Sequence, residues 1–92
     1  MSDRLDRINA FEKTFRDYYA PLCNYANKYI NDWDAAQDIV QTTFLKLWNK
    51  WDALQSASSQ KSYMFTAVKN TLLDQFKKEE RKAKREEVYN EL

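Results

Sequence analysis

A chain of 92 residues with no glycine and no histidine cannot build a glycine-rich phosphate cradle, an imidazole-based catalytic triad or a histidine-ligated metal centre. Its net charge is +1, but the charge is unevenly placed. Residues 1–60 carry 7 Lys/Arg against 8 Asp/Glu, residues 61–85 carry 8 against 3, and residues 86–92 carry three acids. The length suits one small domain over 1–92 with its core at 8–85, and the composition, 43% hydrophobic and 32% charged, suits a folded helical chain. No enzyme activity, cofactor or metal is expected. The lone thiol, Cys23, lies between Leu22 and Tyr25 and reads as a small buried hydrophobe.

Taken in chain order, the first apolar stripe runs Ile8, Phe11, Phe15, Tyr18, Tyr19, Leu22, Tyr25, Ala26, Tyr29 and Ile30, at steps of three and four that place it on a helix. Pro21 lacks an N–H and disfavours helix at Ala20, so either two helices meet there or one is kinked. Asn31 or Asp32 can cap the next helix, whose stripe is Trp33, Ala36, Val40, Phe44, Leu47 and Trp51, broadened by Ile39 and Trp48. Its other face carries Asp34, Asp38, Gln41, Thr42 and Lys46. The stretch Asp52 to Gln60, small and polar, reads as a loop, with Ser58 or Ser59 capping a last helix that starts near Lys61. That helix shows an apolar edge of Met64, Val68, Leu72 and Phe76, helped by Phe65 and Leu73. Opposite stand Thr66, Lys69, Asn70, Asp74, Lys77, Lys78 and Arg81. Beyond Lys77 little is apolar, so the helix should project from the core or fray. The fold class expected is all-α, a small bundle of three to four helices.

No apolar run approaches the roughly 20 residues of a membrane span. Residues 1–9 are polar with both charge signs, unlike a signal peptide. A cytoplasmic protein without membrane insertion is expected.

Three features are candidates for function. The polar strip on the helix from Asp34 to Trp48 is either a partner surface or an ordinary solvated face. The hydroxyl- and amide-rich stretch 52–60 is either a base-binding loop or a connection. The basic segment 61–85, with Trp51, Tyr63, Phe65 and Phe76 near it, is either a phosphate-binding, base-stacking surface or a charged helix end with core aromatics.

The run Asp34-Ala-Ala-Gln-Asp38-Ile-Val-Gln41-Thr-Thr-Phe44-Leu-Lys-Leu-Trp48 resembles region 2.2 of sigma-70-type factors. The run from Lys61 through Asn70 and Asp74 to Lys78 resembles regions 2.3 and 2.4 of the extracytoplasmic-function (ECF) group, and Phe11 to Leu22 is similar to the start of region 2. The resemblance covers residues 8–85, and region 4, the family's second domain, is absent from these 92 residues. It implies a non-catalytic sigma factor domain whose partners are core RNA polymerase, through the β′ clamp, and the non-template single strand of the promoter −10 element. An anti-sigma factor is a further partner the resemblance allows.

Residue by residue, Asp38 and Gln41 match the family's clamp contacts. Thr42 stands where the family usually has Glu, which removes one charge-assisted bond worth about 1.5–3 kcal/mol. A flipped base would enter a pocket walled by Leu54, Gln55, Ser56, Ala57 and Ser58 and read by Asn70, with Thr66, Lys69 and Asp74 beside it. Lys61, Lys77, Lys78 and Arg81 would hold phosphates. Two other readings remain open: a helical protein-interaction module without a nucleic-acid role, and a helix-turn-helix reader of duplex DNA. The length of the 52–60 connection weighs against the second.

Overall fold

The computed structural model describes the backbone of residues 2–91 and the side chains of residues 4–91; Met1 and Leu92, the ends of the expected domain, lie outside the described residues. Among the described residues there are four helices and no strand: α1 (Ser2–Ile30), α2 (Trp33–Asn49), α3 (Trp51–Ser56) and α4 (Gln60–Glu91). The fold is the small all-α bundle that the three- and four-residue apolar steps predict.

α1 passes through Pro21 as one helix, neither ended nor split there. Proline removes only the bond to the Asp17 carbonyl. Asp17 and Pro21 are both exposed, so that carbonyl stands on the water side. The next turn is held by burial, because Leu22, Cys23 and Ala26 are fully inaccessible to solvent. α1 ends at Asn31, whose φ of 54° is left-handed and whose N–H reaches the Asn27 carbonyl at 2.8 Å. In a chain without glycine, Asn is the residue that tolerates this position best.

Asp32 caps α2, accepting from the Ala35 N–H at 3.1 Å. α2 then packs against both long helices. Its Phe44 meets Phe15 with ring centroids 4.7 Å apart and Phe11 edge-on at 5.9 Å. Its C-terminal end is closed by Arg7, which donates to the Trp48 carbonyl at 3.1 Å and lies 4.9 Å over the Trp48 ring. A cation here satisfies one of the orphan carbonyls and suits the negative end of the helix.

The stretch expected as a loop is mostly helix. α3 occupies Trp51–Ser56 and buries Trp51 and Leu54, which are three residues apart and share a face. Trp51 therefore starts α3 and does not extend α2. The connection to α4 shortens to residues 57–59, and Ser59 caps α4 by accepting from the Ser62 N–H at 3.2 Å. With a connection this short, loop length no longer argues against a helix-turn-helix.

Where α2 crosses α4, two threonines are buried. Thr43 Oγ1 lies 3.0 Å from Thr71 Oγ1 and 2.7 Å from the Ile39 carbonyl, and Thr71 Oγ1 lies 3.0 Å from the Ala67 carbonyl. Each hydroxyl has one proton. Two of the three contacts can be hydrogen bonds at once, and one such arrangement has Thr43 donating to Thr71 and Thr71 donating to Ala67. The Lys46 ammonium makes a long contact to the remaining Thr71 lone pair at 3.5 Å.

The core ends at Leu72. From Leu73 to Glu91 every residue of α4 is exposed, which stretches the molecule to 60 × 25 × 22 Å. Leu73 and Phe76, expected on the apolar edge, are 44% and 41% exposed because they lie past the last helix they could pack on. Trp33 and Tyr29 are likewise exposed at the opposite ends of their stripes.

Two predictions follow from this packing. Phe44→Ala should cost about 3–5 kcal/mol, a large share of a total near 5–15 kcal/mol, read as the shift of the urea midpoint. Burial pushes the Cys23 thiol above its ordinary range, partly offset by a hydrogen bond with Tyr19; burial and the neighbouring Tyr29 push Tyr25 up as well. The folded chain thus keeps protons that the unfolded chain has already released. Stability should be full below the ordinary thiol range and fall as pH rises through it and then through the phenol range, as measured by urea unfolding at stepped pH.

Candidate functional site

α2 buries Ala36, Ile39, Val40, Thr43, Phe44 and Leu47, which leaves one stripe in water. Asp38, Gln41 and Thr42 are all exposed on it. Gln41 Nε2 donates to the Tyr19 hydroxyl at 3.4 Å, an exposed and long bond that orients the amide without tying it down. Leu45 continues the stripe one turn on and is 72% exposed. An exposed leucine at the end of a polar strip supplies apolar area to a partner, and it lies in the same shallow depression as Gln41 and Trp48.

Two grooves flank the crossing of α2 and α4. The larger, about 860 Å³ and open, is walled by the end of α2, by α3 and residues 57–59, and by the first half of α4. Ser56, Ala57 and Ser58 lie on one side, with Thr66, Asn70 and Asp74 on the other. Ser59, Ser62 and Tyr63 add three hydroxyls, one of them on a ring, at the end where α4 begins. The groove thus presents short hydrogen-bonding groups from three directions around a space large enough for a planar heterocycle.

Not every expected wall residue is there. Leu54 is 1% exposed and belongs to the core, because α3 turns its apolar side inward. Gln55 is exposed but does not line the groove. Lys61 and Lys69 are exposed on α4 outside it.

The second groove, about 440 Å³, runs on towards the free half of α4. Asp38 and Thr42 line it from α2, and Asp74, Lys78 and Arg81 line it from α4. Lys77 lies on the projecting helix outside both grooves. Among the described residues the one ion pair is Lys84 to Glu80 at 3.3 Å, so the cations of the site have no carboxylate within 4 Å. Local order on the tail comes from contacts within the helix, such as Arg81 Nε to the Lys77 carbonyl at 3.4 Å.

The family model for sigma-70 region 2 matches residues 14–82. The chain belongs to this family. Its region 2 match takes in the second half of α1, all of α2 and α3, and α4 as far as the basic tail. The chain is also similar to the RNA polymerase sigma factor YlaC of Bacillus subtilis (strain 168), 24% identical over 71 residues, 77% of this chain. It spans 41% of that relative's length. No solved structure matches it.

Three exposed residues beside these grooves were given no site role from the sequence: Leu45, Lys50, and Lys46, which was placed only on the polar face of α2. Leu45 was legible as an apolar residue one position off the core stripe. Lys46 and Lys50 stand four residues apart, so they share a side of α2 and its C-cap, and both line the larger groove.

Because Thr66 and Asn70 are exposed and anchor no other side chain, Thr66→Ala and Asn70→Ala should each leave stability within about 0.5 kcal/mol of the parent. Chemical denaturation followed by circular dichroism checks this, and a larger loss would mean that the groove wall is structural.

Proposed function

We propose that this chain is the region 2 domain of an ECF sigma factor, with residues 8–85 as its working unit. It docks on the β′ clamp of core RNA polymerase and captures the non-template strand of a melted −10 element. It works beside polymerase in the cytoplasm and is not an enzyme. The observation that carries the reading is the 860 Å³ groove, which brings Asn70 and Thr66 of α4 opposite Ser56, Ala57 and Ser58 and beside the end of α2.

Asp38, Gln41 and Thr42 form the docking surface, and Leu45 adds apolar area beside them. With Thr42 in place of a carboxylate, Asp38 carries the acidic contact on this stripe. An anti-sigma factor that covered the stripe would keep the domain from polymerase.

In the groove, Asn70 reads the edge of one extruded base, since its amide both donates and accepts. Ser56, Ala57 and Ser58 close the opposite wall, and Thr66 and Asp74 meet the neighbouring atoms. Lys69 is exposed one position before Asn70 and serves the flanking nucleotide. Lys61, Lys77, Lys78 and Arg81 hold phosphates and carry no sequence information. Flipping a base costs a few kcal/mol, least in an already separated strand, and the groove contacts offset it.

The test is binding of the chain to purified core RNA polymerase beside Asp38→Ala and Gln41→Ala. Asp38→Ala should cost about 1.5–3 kcal/mol of binding, and Gln41→Ala about 0.5–1.5 kcal/mol. Charge reversal at Lys77, Lys78 and Arg81 should abolish binding of single-stranded DNA while leaving polymerase binding in place. A folded chain that ignores polymerase at micromolar concentration would sink the docking reading, and unchanged DNA binding in the reversal variant would sink the capture reading.

A further inference from the structure

We propose that Lys46 and Lys50, on the α2 side of the larger groove, hold the phosphate backbone of the captured strand. This rests on the single-strand reading above and assigns to the docking helix a second role, in DNA binding.

The basic side chains that line the larger groove are these two. The tail cations Lys78 and Arg81 line the smaller groove, and Lys61 and Lys77 line neither. A base seated against Asn70 would leave its sugar and phosphate at the groove rim. The basic side chains that line the groove itself come from α2; Lys69, next to Asn70, is exposed outside it.

Lys46 also lies at the junction. Together with Thr71 and Asp74 it lines both grooves, so these residues form the saddle between them. Lys50 and Lys46 are followed across the saddle by Lys78 and Arg81, with Asp38 and Glu79 also lining the smaller groove. A nucleic-acid backbone could follow these four cations from the base pocket to the projecting half of α4. Asp74 is the acidic group on the saddle, and two lysines face it in the larger groove.

Both lysines are available for this. They are exposed, and neither has a carboxylate within 4 Å among the described residues. The one side-chain partner of Lys46 is the Thr71 hydroxyl at 3.5 Å, a contact that a phosphate oxygen would readily displace. The bland explanation is that lysines near the end of α2 serve its helix dipole. Arg7 already fills that role at the Trp48 carbonyl.

The experiment is a salt series with the whole 92-residue chain and a fluorescein-labelled, random-sequence single-stranded DNA about 12 nucleotides long, followed by anisotropy. Lys46→Gln and Lys50→Gln should each weaken binding about tenfold at low salt and flatten the slope of log K against log salt by about 0.7, one phosphate's share on a single strand. Lys46→Arg should keep the slope. Asn70→Ala should weaken binding without changing it. If both glutamine variants keep the parental slope while reversal of Lys77, Lys78 and Arg81 abolishes binding, the α2 lysines do not touch phosphate and only this inference falls. If the reversal variant also binds like the parent, or the parent does not bind, the single-strand reading falls with it.

Discussion

Two hydroxyls hold the crossing on which the rest of this structure depends. Thr43 and Thr71 are buried where α2 meets α4, 3.0 Å apart, in a core otherwise built of apolar side chains. Each also lies within reach of a carbonyl one turn back in its own helix, Ile39 for Thr43 and Ala67 for Thr71, so neither depends on the crossing for a partner, but the contact between the two hydroxyls is made only at this register of the two helices. Sliding α4 by one residue would turn Thr71 away from Thr43 and bring Leu72 or Asn70 towards it. Apolar packing among Val40, Val68 and Leu72 tolerates small shifts far better. The polar pair therefore gives the crossing its specificity, while the surrounding leucines, valines and Phe44 give it stability. Asn70 and Thr71 are adjacent in the chain. Whatever holds Thr71 inward holds Asn70 outward, at the mouth of the larger groove.

The second constraint is a mismatch of lengths. α4 runs for 32 residues, about 48 Å at the usual rise, and the bundle supports it only as far as Leu72. The rest is held by its own backbone bonds and by weak contacts along one face, such as the exposed Lys84–Glu80 pair. The stretch with the least packing thus holds six of the fifteen Lys/Arg, all between Lys77 and Arg85, together with six Asp/Glu. That suits a surface whose work is electrostatic, because long lysine and arginine side chains adapt to a backbone of phosphates without a preformed fit.

How much could be read beforehand follows the same division. The stripes of α2 and α4 were legible because Val40, Phe44 and Leu47 or Met64, Val68 and Leu72 recur at helical steps, and burial follows such steps wherever a partner helix is present. The Ser59 cap and the placement of Cys23 were legible on similar local grounds. At Pro21 the sequence left two helices or one kinked helix open, and burial of the whole turn after it keeps α1 a single helix. α3 misled because two apolar residues, Trp51 and Leu54, among serines and glutamines look like a loop until the core they fill is known. Leu54 itself was the warning: a leucine amid hydroxyls is more readily explained by the core than by a pocket wall. Trp33, Leu73 and Phe76 misled in the other direction, since periodicity says which way a side chain points but not whether anything stands there to cover it. In the candidate site, Asn70, Thr66 and Asp74 were legible as polar residues of one helix face, and the serines as a hydroxyl-rich stretch before it. Lys46 and Lys50 were not, because only the crossing of α2 over α4 brings that end of α2 to the groove.

The two proposed surfaces share one helix, and this has a mechanical consequence. Asp38, Gln41 and Leu45 point outward from α2, Thr43 inward to α4, and Lys46 and Lys50 along the groove edge. No loop intervenes between them; from Asp38 to Asn49 the spacing is set by helical geometry alone. A partner that grips the outward stripe therefore fixes the position of the groove to within the play of one packed helix crossing. The threonine pair and Phe44 make that play small. On the proposed reading, the clamp of the polymerase would orient the base pocket by holding α2, with no conformational change needed in the domain. Specificity for a melted strand would then come from where the pocket is held as much as from what lines it.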